Sequence, residues 1–240
     1  MLIVIVALYI IVFLLTWLKK SSYSWMLLLT ALLMQGWNLV NFTLQTHHLP
    51  VFTPAASLML VAFILGLTTF FISMRTVTPL PGRRWAILLT IILLAAALLW
   101  PQAPPCFDYN HIYPYAVAFH VFRRLALAAA LFATALFLST FSLNVHKVKE
   151  AAIARHQGRT ALLAATVFYL LSEDTGIIWC LNGWADVWRW TPGFIISSMV
   201  IMFLMLILHL PGGSLKNNSW YTILGLSCGP LMFIAQFYKP

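Results

Sequence analysis

At 240 residues, 62% of them hydrophobic and only 8% charged, with a mean hydropathy of +0.92, the chain has too little polar surface to cover a soluble globule and reads as an integral membrane protein. Its net charge of +9 comes from 14 lysines and arginines scattered between apolar runs, a pattern of loop anchoring that excludes nucleic-acid binding.

Crossing a bilayer takes about 20 apolar residues. Eight stretches qualify, near 2–18, 25–45, 52–74, 85–100, 115–141, 160–180, 193–210 and 219–237, which predicts an all-α polytopic protein with residues 1–240 as a single membrane domain. The first run is read as a helix and not as a secretory signal, because it lacks a positive n-region and a small-residue cleavage site, and its lysines follow it. Lys19, Lys20, Arg75, Arg83, Arg84, Lys147, Lys149, Arg155, Arg159 and Lys216 all fall on alternate connections, which are therefore expected on the cytoplasmic side. The opposite connections carry His47 and His48, a proline-rich segment from Pro101 to Tyr115, and a tryptophan-rich segment. Both termini and the tryptophan segment are thus expected to be extracytoplasmic, as an even number of spans requires. The three cysteines, Cys106, Cys180 and Cys228, form no close pair of the metal-binding or redox type; Cys106 and Cys180 are expected on the same outer side, where pairing is one option.

The tryptophan segment, 179–192, lies between two apolar runs and holds Trp179, Trp184, Trp188 and Trp190. Flat amphipathic rings favour a membrane face. Thr191 and Pro192 read as the N-cap and first residue of the following helix. Upstream, His120 lies three and four residues before Arg123 and Arg124, so a helix places all three on one face. Two arginines near a membrane span need an anionic partner, and Glu173 or Asp174, close to the outer end of the sixth span, would supply one by ion pairing; a proton or cation route is the functional alternative for these acids.

The spacing Gly176-Ile-Ile-Trp179, then Trp184, Trp188, Trp190 and Pro192, resembles the tryptophan-rich WWD signature of the haem-handling proteins of cytochrome c biogenesis, G-x-x-W-x-x-x-x-W-x-x-x-W-x-W-D-P, of which CcsA is nearer in length and span number than CcmC. Phe119-His120-Val121 is similar to the family's Leu-His-Val context, Leu208-His209 to its Leu-His pair, and His48-Leu49-Pro50 with Ala55-Ala56-Ser57 to its His-x-Pro and Glu-Ser segment. Three positions depart from the pattern: Thr191 stands where the signature has aspartate, no histidine follows Leu210, and Gln35 falls near the family's early intramembrane histidine.

The resemblance implies haem handling at the outer face of a bacterial-type inner membrane, with haem b as cofactor, apocytochrome c as recipient and a ResB/CcsB-type membrane partner completing a haem lyase; any enzymatic role is at most a share in that complex. Trp179, Trp184, Trp188 and Trp190 would form a shelf for the macrocycle, His120 would ligate the iron, and Arg123 with Arg124 would face the propionates. His209 is a second, weaker candidate ligand, or an interfacial residue. Two other functions remain open: a structural or regulatory subunit that keeps the fold and docks a partner, and an electron-transfer subunit with haem b or a quinone, for which His209 and His48 would matter more.

Overall fold

The computed structural model describes residues 1–18, 21–75, 82–100, 113–142, 148–184, 192–210 and 219–237. Among these, every regular element is a helix: α1 (Leu2–Trp17), α2 (Ser21–Thr46), α3 (Pro54–Arg75), α4 (Arg83–Leu99), α5 (Tyr113–Ser142), α6 (Val148–Trp184), α7 (Pro192–His209) and α8 (Ser219–Phe237). Five of them, α2, α3, α5, α6 and α8, contain stretches long and apolar enough to cross a membrane, while α1 and α7 are apolar but shorter. The chain is therefore an all-helical protein with the make-up of a multi-pass membrane protein.

Helix α5 is the pivot, packing on α3, α4, α6 and α8. Its central face is rich in small residues, with Ala126, Ala130, Ala133 and Ala135 fully buried, and where hydrocarbon surrounds the bundle such residues let helices approach closely. The facing helix α8 answers with Gly225 and Gly229, four residues apart. A Cβ on Gly225 would collide with the Phe137 ring, and one on Gly229 would lie 2.6 Å from Thr134 Oγ1. Close approach also repairs a backbone defect. Pro230, inside α8, has no N–H to give to Leu226 O; Thr134 Oγ1 donates to that carbonyl at 3.1 Å and accepts from Gly229 N at 3.2 Å.

A second lock joins α1, α2 and α3. Tyr9 OH donates to Gln35 Oε1 at 2.8 Å, and Gln35 Nε2 donates to Met59 O at 2.9 Å, with Tyr9 and Gln35 both fully buried. Both ends of the amide are thus used in joining helices.

Helix α6 differs most from the sequence-based expectation of a span near 160–180. It has 37 residues, about 55 Å at 1.5 Å per residue, against a hydrocarbon thickness of about 30 Å. The excess lies at both ends: Lys149, Arg155 and Arg159 are on the helix and not in a connection, and Trp179 to Trp184, expected at the start of the tryptophan segment, forms its last turns. No proline interrupts 148–184, and hydropathy, which marks only the part suited to lipid, is blind to a helix continuing into water. Helix α7 begins at Pro192 as expected; Thr191 lies outside the described residues, as does Cys106 and with it the possible Cys106–Cys180 pairing.

Candidate functional site

Three segments meet where α2 ends, α3 and α5 begin and α6 finishes. The first is the α2–α3 connection. His47 adopts φ 57°, the left-handed conformation with which helices commonly stop, and His48 N donates to Thr46 Oγ1 at 3.3 Å. Thr53 then caps α3, its Oγ1 accepting from Ala56 N at 3.4 Å ahead of Pro54 as the first helical residue. Val51 O accepts from Ser57 Oγ at 2.7 Å and from Arg124 Nη2 at 3.4 Å, which ties the connection down onto α5. Phe52 sits between these anchors.

His120 lies about two turns into α5. Its imidazole is half-buried among three aromatic rings: Phe119 at 5.0 Å between centroids and 78° between planes, Phe52 at 5.3 Å and 75°, and Trp179 of α6 at 5.9 Å and 60°. Phe119 and Trp179 also pack on each other at 5.6 Å. Phe52 also packs on His48, at 6.3 Å and 85°. Neither ring nitrogen of His120 has a hydrogen-bond partner among the described residues.

The two arginines are engaged inside the bundle. Arg123 Nη2 donates to Glu173 Oε1 at 2.5 Å and to Ser197 Oγ of α7 at 2.7 Å. Ser197 in turn donates to Glu173 Oε1 at 3.1 Å and accepts from Tyr169 OH at 3.2 Å, so one hydroxyl uses its whole hydrogen-bonding capacity. The guanidinium also lies 4.5 Å from the Phe119 centroid. Arg124, buried, donates from Nη1 to Gln236 Oε1 at 2.9 Å, and Gln236 Nε2 donates back to Arg123 O at 2.9 Å. The expected acidic partner of the arginines is thus Glu173, paired with Arg123; Asp174 is exposed. Both guanidinium groups, expected to face propionates, are held by α6, α7, α8 and the α2–α3 connection, which fixes the pitch and rotation of α5 and hence the place of His120.

The remaining predicted residues are distributed as follows. Trp184 is the last residue of α6, whereas Trp188 and Trp190 lie outside the described residues, so of the four tryptophans expected to form a shelf only Trp179 has described side-chain contacts. His209 ends α7, exposed, with Nδ1 2.8 Å from Met205 O in its own last turn. Its neighbour Leu208 O accepts from Arg159 Nη2 of α6 at 2.8 Å. Twenty residues of continuous helix separate Arg159 from Trp179, about 30 Å, so His209 and His120 occupy opposite ends of the bundle. Gln35 is away from both, locked between α1 and α3.

Phe52, Ser197 and Gln236 were not singled out by the sequence reading, and Phe119 entered it only as the neighbour of His120. Only Phe52 had a local signal: Thr53-Pro54 is the same Thr-Pro helix start as Thr191-Pro192, which fixes where the chain before it must turn. Among the described residues no three His, Cys, Asp or Glu side chains gather at one point; His120 stands as a lone imidazole between aromatic rings, the kind of donor that an axial position of haem would take. Compared with known proteins, the chain matches no family model, no curated protein and no solved structure.

Proposed function

We propose that this protein handles haem at the outer face of a bacterial-type inner membrane, as a divergent relative of the CcsA type, holding haem b for delivery to apocytochrome c together with a ResB/CcsB-type partner. The observation that carries the reading is His120: an accessible imidazole with both nitrogens free of hydrogen bonds, set among Phe52, Phe119 and Trp179 at the end of the bundle that leads into the tryptophan segment. In this reading the chain crosses the membrane eight times with both termini extracytoplasmic, and the Arg155 and Arg159 end of α6 is cytoplasmic. His120 ligates the iron, and Trp179, Trp184, Trp188 and Trp190 flank the macrocycle. Arg123 and Arg124 act chiefly as positioning residues for α5. Haem, when bound, would supply the groups to which cytochrome c becomes attached; this chain's part would be to hold, orient and shield it, through His120 and the flanking tryptophans.

The test is an absorbance spectrum with pyridine haemochrome quantification on the detergent-purified protein beside His120→Ala and Trp188→Ala. Haem in the parent and its loss in His120→Ala is the expected result. A parent that takes up no haem, even with a co-expressed partner, ends this reading and leaves the docking-subunit alternative. That alternative draws on the apolar cleft of about 320 Å³ between α7 and α8, lined by Met199, Phe203, Leu231 and Met232. For the electron-carrier alternative, in which His209 and His48 would matter more, the two histidines stand at opposite ends of the bundle and cannot ligate one haem together.

A further inference from the structure

We infer that the corner where α1 ends and α2 and α4 begin binds the phosphate of an anionic phospholipid, with Arg83 as its chief ligand. The inference is independent of the haem reading: α2, with 26 residues and a length of about 39 Å, separates this corner from the connection that packs on His120.

Residues 1–107 contain Lys19, Lys20, Arg75, Arg83 and Arg84 and not one Asp or Glu. Arg83, the first residue of α4, is nonetheless only 8% exposed. Its guanidinium lies 3.8 Å from the centroid of the Trp25 ring, and Nη2 donates to Ser24 Oγ at 3.0 Å, which ties the first turns of α2 and α4 together. Nε is buried without a hydrogen-bond partner, and no ion pair reaches the group among the described residues. An aromatic face and a hydroxyl hold a guanidinium in place but leave its charge uncompensated, and a charge in such a setting calls for a counter-ion. Arg123 finds one in Glu173, but that acid is out of reach here. Gly82 packs on α5 at Leu136, where a Cβ would lie 3.1 Å from the Leu136 Cα, and Leu136 is about 20 Å along α5 from Arg123.

More positive potential converges on the same corner. Both α2 and α4 begin there without an acid in the first turn, and α4 starts at Gly82 with no side-chain cap, so no group of the protein offsets the helix-end partial charges. Arg84 lies 5.5 Å from the Trp17 centroid, so the two arginines reach toward either side of the α1–α2 connection. Trp17 and Tyr23, 60% and 70% exposed, add the amphipathic rings that favour the headgroup level of a bilayer. The counter-ion therefore has to come from outside the chain, at a membrane face. A planar guanidinium with donors to spare matches phosphate oxygens, and the phosphate at hand there belongs to a lipid; a headgroup of net negative charge is selected over a zwitterionic one, whose own cation would meet Arg84.

The experiment follows the thermal unfolding midpoint of the delipidated full chain in neutral detergent as phosphatidylglycerol, phosphatidylcholine or inorganic phosphate is added, with native mass spectrometry to measure bound lipid. The parent should bind phosphatidylglycerol at least about fivefold more tightly than phosphatidylcholine and gain a midpoint rise specific to it. Arg83→Met should lose both the preference and the rise, while unfolding no earlier than the parent in detergent alone, since its buried charge is gone. Arg83→Lys, which keeps the charge and lacks the planar fork, should fold and retain the preference at reduced affinity, so the assignment is tested even if the methionine variant does not fold. Lys149→Gln, at the exposed start of α6, should behave as the parent. Retention of the full preference in Arg83→Met, an equal loss in Lys149→Gln, or a parent that does not distinguish the two lipids overturns the site. A midpoint rise with inorganic phosphate as large as that with phosphatidylglycerol overturns the lipid assignment in favour of a free anion.

Discussion

Arg123 of α5 and Glu173 of α6 form an ion pair inside the bundle, each side chain only 14% exposed, and Ser197 of α7 bonds to both partners. Three helices are thus joined at one point, a turn below His120. Removing one partner strands a charge where water is scarce, which typically costs about 3–5 kcal/mol, whereas replacing both by apolar residues of similar size is close to neutral. Arg123→Ala should therefore lower the unfolding midpoint in detergent sharply, and Arg123→Met with Glu173→Leu should recover most of the loss. Equal stability of the single and double variants would show that the pair does not act as a unit.

The α5–α8 contact depends on one hydroxyl. Thr134→Val keeps the volume but leaves Leu226 O, already deprived of an N–H by Pro230, without a donor. A loss of about 1 kcal/mol is expected, in the range of interhelical hydrogen bonds in membranes. Thr134→Ser should stay near the parent in the same thermal unfolding assay.

Gly225 tests packing and not polarity. With Phe137 in the way of any Cβ, Gly225→Ala must push α8 from α5 or drive the ring off its rotamer, at about 1–3 kcal/mol. Pairing it with Phe137→Leu should return part of that stability, since the shorter side chain lacks the ring atoms in collision. No recovery in the double variant would mean that the backbones, and not this ring, set the distance.

Tyr9→Phe removes the donor to Gln35 Oε1 at a fully buried site and should cost about 1–3 kcal/mol, the penalty of an unpaired buried acceptor. Adding Gln35→Leu removes the stranded group, so the double variant should be at least as stable as Tyr9→Phe alone. Haem uptake should be the same in all three proteins, because this lock lies away from His120; a change in uptake would place Gln35 in the site.

His120 and Trp179 were named together in the sequence reading on the resemblance to the WWD pattern, and the structure packs their rings against each other at 5.9 Å between centroids. The pairing of Arg123 with Glu173 was legible as a need, since buried charge demands a partner, with two acids to choose from; Asp174, one residue on, points out of the bundle. The contact of Phe52 with His120 was not legible, because it depends on the tie between Val51 O and Arg124, residues 73 positions apart.

Sequence by itself determined that this chain is helical and belongs in a membrane, and where most of its helices lie, because the hydropathy of a run of about 20 residues is a local quantity set against a fixed hydrocarbon thickness. It also determined the helix start at Pro192, which proline's fixed φ favours. Tertiary structure alone decided which polar groups satisfy one another, how far α6 runs past the apolar core, and that Phe52 packs on His120 while His209 ends about 30 Å away. Those outcomes depend on helix rotation and closest approach, which are fixed by side-chain volume and hydrogen bonding between distant residues, such as Gly225 against Phe137 and Gln236 against Arg124.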